Sequence, residues 1–233
     1  MHVRGAVDRT TYPFDLYAID ALVAGVDFAP VTVVVGENGS GKSTIVEALA
    51  VAAGFNAEGG SRGLQFETFS THSDLGEHLT LRWRKRPSWG WFLRAETFYG
   101  MASHIAQDDD PAYGIAKLFP DQHGRSHGES FLALIESRFG RAGLYIMDEP
   151  ESALSFQGQL SLLRAIHDGL HDGSQFVLAT HSPLLMRMPD ATIYELGPGG
   201  LRPCAYEDLG VVNLWRRFLT APERVLDALF EDD

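Results

Sequence analysis

Gly36, Gly39 and Gly41, with Lys42, Ser43 and Thr44 directly behind them, are the residues whose types and spacing could do chemistry. The string GENGSGKST satisfies the whole G-x-x-x-x-G-K-[ST] pattern from Gly36 to Thr44. Backbone free of side chains can wrap closely around phosphate, so the run Gly36, Glu37, Asn38, Gly39, Ser40, Gly41 is expected to aim N–H groups at its oxygens. Lys42 would reach the β and γ phosphates of a bound triphosphate. The Ser43 hydroxyl would ligate Mg²⁺, and Thr44 would contact the α phosphate or cap a helix. Downstream, the string LYIMDE delivers two adjacent acids, Asp148 and Glu149, at the end of an apolar run. Neighbouring side chains at a strand end diverge, so Asp148 is expected at the metal and Glu149 at the attacking water, as general base. By themselves these acids would be an ordinary strand-to-loop junction before Pro150; the glycine loop upstream gives them a reaction to serve.

The elements that must position these groups are legible around them. Val31 to Val35 is a β-branched run ending at Gly36, which reads as a buried strand, and Ser43 to Ala53 reads as a helix stopped by Gly54. Leu144 to Met147 and Phe176 to Ala179 are short apolar runs with polar residues at their carboxyl ends, separated by a helical pattern from Gln157 to Leu170. That alternation predicts a βαβ unit and an α/β fold with a mainly parallel core sheet. Leu79 to Trp83 and Trp91 to Phe98 flank the turn-like residues 86–90 and predict an antiparallel hairpin. The expected layout is one domain: a core over 1–76 and 140–207, a β hairpin side lobe over 77–98, a small helical lobe over 99–139, and C-terminal helices over 208–233, broken at Pro222. The stretch Asn56 to Ser73 reads as loop with short extended pieces.

Composition narrows the class. A formal charge of -12 and a sequence pI near 5.1 argue against a surface that grips nucleic acid mainly by neutralising phosphates. A local basic patch at Arg82, Arg84, Lys85 and Arg86 leaves room for a smaller contact, although such a run is more often a solvated edge. The single cysteine, Cys204, can form neither an internal disulfide nor a zinc site alone, which fits a reducing compartment and makes the cytoplasm the expected location. The opening MHVRGAVDRTTYPF interrupts any apolar run, so neither a secretory signal nor direct membrane insertion is expected.

Further motifs then arrive in an order that resembles the ABC-type ATPases, over Val31 to Pro183. Ser126-His127-Gly128-Glu129 resembles the signature of that family, with His127 and Glu129 departing from the transporter form. It is also a good helix capping box. Pro150 to Ser155 resembles the loop that crosses the family's dimer interface. His181, in ATHSP after the next strand, resembles the switch histidine that hydrogen-bonds the γ phosphate and orients the attacking water. The signature variant looks more like the stand-alone SMC and recombination-repair ATPases than a transporter subunit. The insert before Ser126 lacks heptads, so the chain resembles a bare head, similar to small bacterial stand-alone AAA-family ATPases.

The resemblance implies ATP and Mg²⁺ as ligands, with Lys42, Glu149 and His181 catalytic. It implies that Ser126, Gly128 and Glu129 cap the ATP held by a second copy, so that ATP drives a nucleotide-sandwich homodimer coupled to an unknown protein or nucleic-acid partner. For the metal-sensing glutamine of the family, Gln65 comes too early. Glu96 is the preferred position, with Gln107 just beyond it, which adds Glu96 to Ser43 and Asp148 as a metal contact. Tyr12 or Phe14 could stack on the base, or either could be core. Two other readings stand beside this one: the nucleotide-binding subunit of a transporter, and a non-hydrolysing, ATP-controlled clamp or scaffold.

Overall fold

The computed structural model describes residues 1–5, 7–61, 73–95, 132–133, 135 and 138–230. Among them the organising element is a seven-stranded sheet. Its centre is built from β2 (Val31–Gly36), β5 (Gly90–Arg94), β6 (Leu144–Asp148), β7 (Gln175–Ala179) and β8 (Thr192–Gly197), parallel throughout and ordered β5-β6-β7-β2-β8. Two antiparallel strands close its edges, β3 (Gly60–Ser61) on β5 and β9 (Gly200–Pro203) on β8. The fold is therefore mixed α/β with a mainly parallel core.

The two-residue period of the strands explains the layers. Val31, Val33, Val35, Trp91, Leu93, Tyr145, Met147, Phe176 and Leu178 share one buried cluster with Leu162 and Ile166 of α4 (Phe156–His171). The residues between them, Phe92, Leu144, Ile146, Val177 and Ala179, join a second cluster with Val46, Leu49 and Ala50 of α2 (Lys42–Ala53). Both faces are thus covered by helix, as parallel sheets require, and each large side chain so buried contributes roughly 1.5–3 kcal/mol. α2 ends where the sequence predicts: Gly54 caps it, its N–H donating to the carbonyls of Ala50 and Val51.

The predicted hairpin does not form. β4 (Leu79–Thr80) pairs antiparallel with β1 (His2–Val3), making a separate two-stranded sheet, while Gly90–Arg94 joins the core beside β6. The reason is burial. Trp91, Phe92 and Leu93 are each within 1% of complete burial, a continuous apolar run that belongs in the interior of a parallel sheet and has no wet face for a hairpin. Local pattern also assigns no strands to Thr192–Pro203. There the register Gly197↔Gly200 leaves Pro198 and Gly199 as a two-residue turn. Beyond it, α6 (Gly210–Thr220) and α7 (Pro222–Phe230) break at Pro222 as predicted, and Leu214, Leu219, Leu229 and Phe230 stand exposed on them.

Candidate functional site

The chemistry-bearing residues converge at the carboxyl edge of the parallel sheet. In register, Val34 of β2 lies beside Ala179 of β7, Ala179 beside Asp148 of β6, and Asp148 beside Arg94 of β5. Four adjacent strands therefore end at one level. Their continuations are the glycine loop, Thr180-His181, Glu149 and Ala95, and ligand sites of open parallel sheets gather at such edges.

The glycine loop is held tightly from behind. A Cβ at Gly36 would sit 2.5 Å from the Leu196 carbonyl oxygen, so the strand could not pass β8 with any larger residue there. Gly41 turns the chain into α2 at φ 98°, in the left-handed region, and a Cβ on it would lie 2.9 Å from Leu16. Lys42 follows and is 4% exposed, with Nζ donating to the Glu37 carbonyl oxygen at 3.0 Å. Burial lowers its pKa, and the carboxylates of Glu149, Asp148 and Glu151 push the other way. Ser40 Oγ is buried with no hydrogen-bond partner among the described residues. A buried ammonium and an orphaned hydroxyl in a loop of this shape suit a phosphate group.

Ser43 Oγ donates to Asp148 Oδ1 at 3.1 Å, joining the first turn of α2 to the end of β6. A hydroxyl beside a carboxylate, both oxygen donors, fits Mg²⁺. On the other side of Asp148, Arg94 Nε lies 3.5 Å from Oδ2, and Arg94 Nη1 lies 2.7 Å from Glu47 Oε2. Motif spacing singles out neither Arg94 nor Glu47. The available signal is the one that finds Asp148: a polar residue ending an apolar run, here GWFLR.

Glu149 adopts φ 47° and ψ 51°, a left-handed conformation that costs a non-glycine residue of order 1–3 kcal/mol. Its N–H donates to the Ala179 carbonyl at 2.9 Å, and the bend starts the short 3-10 helix Pro150–Ala153. The turn aims Glu149 away from Asp148 and toward His181, with Oε1 3.4 Å from His181 Nε2. His181 is anchored through its backbone: its N–H donates to Glu151 Oε1, which ties it to the loop after β6. Behind it, Ser182 Oγ donates to Gln159 Oε1 at 2.6 Å and accepts from the Leu185 N–H at 3.3 Å, starting α5 (Pro183–Met186).

The two base-stacking candidates separate. Phe14 is 6% exposed and packs edge-on to His78, so it is core. Tyr12 is 63% exposed, and its hydroxyl pairs with Thr44 Oγ1 at 2.9 Å, at the mouth of the glycine loop. Ser126, Gly128 and Glu129 of the signature-like motif, and Glu96 and Gln107 as metal-sensor candidates, lie outside the described residues.

Residues 18–80 match a family model described as an AAA domain, the stretch that holds β2, the glycine loop and α2. Among solved structures, the chain is similar to the SMC head domain from Thermotoga maritima, at 18% identity and a TM-score of 0.44, over 77% of this chain and 92% of that one. No curated protein matches the sequence. The AAA-domain match and the loop-and-sheet geometry coincide on β2, the glycine loop and α2, an arrangement suited to nucleotide binding.

Proposed function

We propose that this chain is a Mg²⁺-dependent ATPase whose two sites are completed only when two copies pair head to tail. The observation that carries the reading is the meeting of Ser43 with Asp148 at 3.1 Å and of Glu149 with His181 at 3.4 Å, at neighbouring strand ends above one glycine loop. Residues 36–41 and Lys42 bind the triphosphate, and Tyr12 offers its ring to the base. Ser43 and Asp148 hold the metal, which when bound neutralises charge developing on the phosphates. Glu149 takes the proton of the attacking water while His181 fixes the orientation of that carboxylate and of the γ phosphate.

Dimerisation enters because the sequence Ser126-His127-Gly128-Glu129 reads as a second anion-binding motif, for which one subunit would have no use. In this reading they cap the ATP of the other copy, and hydrolysis reopens the pair to move an unassigned protein or nucleic-acid partner in the cytoplasm. None of the described helices is long and apolar enough to cross a membrane.

Glu149→Gln tests the chemistry. Phosphate release should fall about 10²–10⁴-fold while ATP binding stays intact and an ATP-dependent dimer accumulates on a sizing column. Turnover at the wild-type rate would refute the assignment of the base. Ser126→Arg should bind ATP yet remain monomeric, and ATP-dependent dimers of that variant would contradict the shared site.

A further inference from the structure

Four side chains around the proposed metal site close a ring that the ATPase reaction does not by itself require. Ser43 and Glu47 are one turn apart on α2 and therefore share a face of the helix. Ser43 Oγ holds Asp148 Oδ1 at 3.1 Å; Arg94 Nε lies 3.5 Å from Asp148 Oδ2; and Arg94 Nη1 returns to Glu47 Oε2 at 2.7 Å. The helix backbone between residues 43 and 47 completes the circuit. Glu47 is fixed in turn by the Ser73 N–H, which donates to its Oε1 at 3.3 Å.

We infer that Arg94 is a positioning residue for metal-dependent nucleotide binding: it clamps the far oxygen of Asp148 so that the near one stays turned toward Ser43. The inference rests on the reading of Ser43 and Asp148 as the metal site. Three observations carry it. Asp148 is 5% exposed, with Ser43 on one carboxylate oxygen and Arg94 beside the other, so the contact on the far oxygen bears on which way the near one faces. Arg94 reaches it from the neighbouring strand at matched register, so the clamp is set by the sheet and not by a mobile loop. Finally, the triad of buried Glu47 and Asp148 with the partly exposed Arg94 is a poor device for stability alone, because replacing such largely buried ion pairs by apolar groups is often neutral or stabilising. Its use is orientation. A guanidinium suits the task because its planar fork can meet two carboxylates at once, which an ammonium does less well.

The outcome to compare is the Mg²⁺ concentration that half-saturates binding of a fluorescent ATP analogue, together with analogue affinity in EDTA. Arg94→Gln should raise the half-saturating Mg²⁺ about 10-fold or more, the usual scale for losing a partner that orients a metal ligand, while leaving metal-free affinity within about twofold. Arg94→Gln alone strands the Glu47 carboxylate and could unfold the chain. The pair Glu47→Gln/Arg94→Gln removes that charge, keeps an acceptor for Ser73, and should show the same Mg²⁺ shift with a wild-type melting temperature. Arg94→Lys should fall between wild type and Arg94→Gln. If the double variant is folded and its Mg²⁺ dependence matches wild type, the role of Arg94 is overturned and the proposed ATPase stands. If wild-type binding ignores Mg²⁺, both fail.

Discussion

The two ends of the parallel sheet carry opposite kinds of polarity. At the amino end, a cavity of about 750 Å³ opens between Pro30, Leu144, Gln175 and Thr192, rimmed by Arg82, Arg84 and Lys85. At the carboxyl end Glu47 and Asp148 are buried and both lie against the partly exposed Arg94. Polar groups of the amino end are spent on the scaffold: Gln175 Nε2 donates to the carbonyls of Phe28 and Ala29, Tyr194 Oη to that of Asp27, and the Met1 amine to that of Val26. At the carboxyl end, Ser40 Oγ has no partner among the described residues, and Lys42 is buried among three carboxylates. Charged groups crowded beside a hydroxyl with no partner among the described residues are the kind of arrangement expected of a reaction site.

The comparison breaks most sharply at Lys42. Lys42→Ala removes the ammonium that would pair with the outer phosphates, and loss of a charge-assisted contact of about 3 kcal/mol corresponds to roughly 100-fold weaker binding. Titration of a fluorescent ATP analogue measures it. Retention of wild-type affinity would mean that the carboxyl end is not the nucleotide site.

How much of this was legible depended on locality. The glycine loop, its strand and its helix occupy one continuous stretch, so pattern and structure agree to within a residue: a helix predicted from Ser43 begins at Lys42. Asp148 and Glu149 were readable for the same reason. Arg94 and Glu47 were not, since their meaning comes from the pairing of β5 with β6, a contact across about fifty residues of chain that no local pattern encodes. The hairpin error has the same root. Leu79–Thr80 and Gly90–Arg94 both look like strands, and only the complete burial of the second, against the pairing of the first with His2–Val3, shows that they belong to different sheets. Glu149 is a mixed case: its position just past the end of β6 is readable from the sequence, whereas its left-handed backbone is not, because glutamate rarely adopts it.

Tyr145 tests the scaffold behind the site. It is fully buried in β6 and stacks on Phe176, while its hydroxyl donates toward the carbonyls of Arg138 and Arg141 at 2.6 and 2.7 Å. Tyr145→Phe leaves those carbonyls without this donor and should cost about 1–3 kcal/mol in chemical denaturation. Burial also raises its pKa to about 12. The unfolded phenol ionises near pH 10 and the folded one does not, so wild-type stability should fall as pH rises from 10 toward about 12. The Phe variant should lack that part of the fall. An identical alkaline profile in the two proteins would remove Tyr145 as its source.

A smaller effect is expected at Tyr12, where an exposed ring beside Thr44 offers stacking worth about 0.5–1.5 kcal/mol. Tyr12→Ala should weaken ATP-analogue binding about two- to tenfold, and Tyr12→Phe, which keeps the ring, should weaken it less. Equal losses in both would assign the role to the hydroxyl and its bond to Thr44 instead of the ring.

The smallest effect is expected at the amino end, and it is the one that most sharpens the contrast. Changing Arg82, Arg84 and Lys85 together to Glu reverses the rim of the large cavity. From Leu144 to Asp148, β6 spans about 13 Å at roughly 3.3 Å per residue, which exceeds the Debye length of about 8 Å at physiological salt. All three side chains are exposed, so their field should be screened before it reaches the phosphates. ATP-analogue affinity and its Mg²⁺ dependence should therefore stay within about twofold of wild type at physiological salt. A tenfold change there would mean that the two ends of the sheet act as one device, with the cavity feeding the nucleotide site through the strands between them.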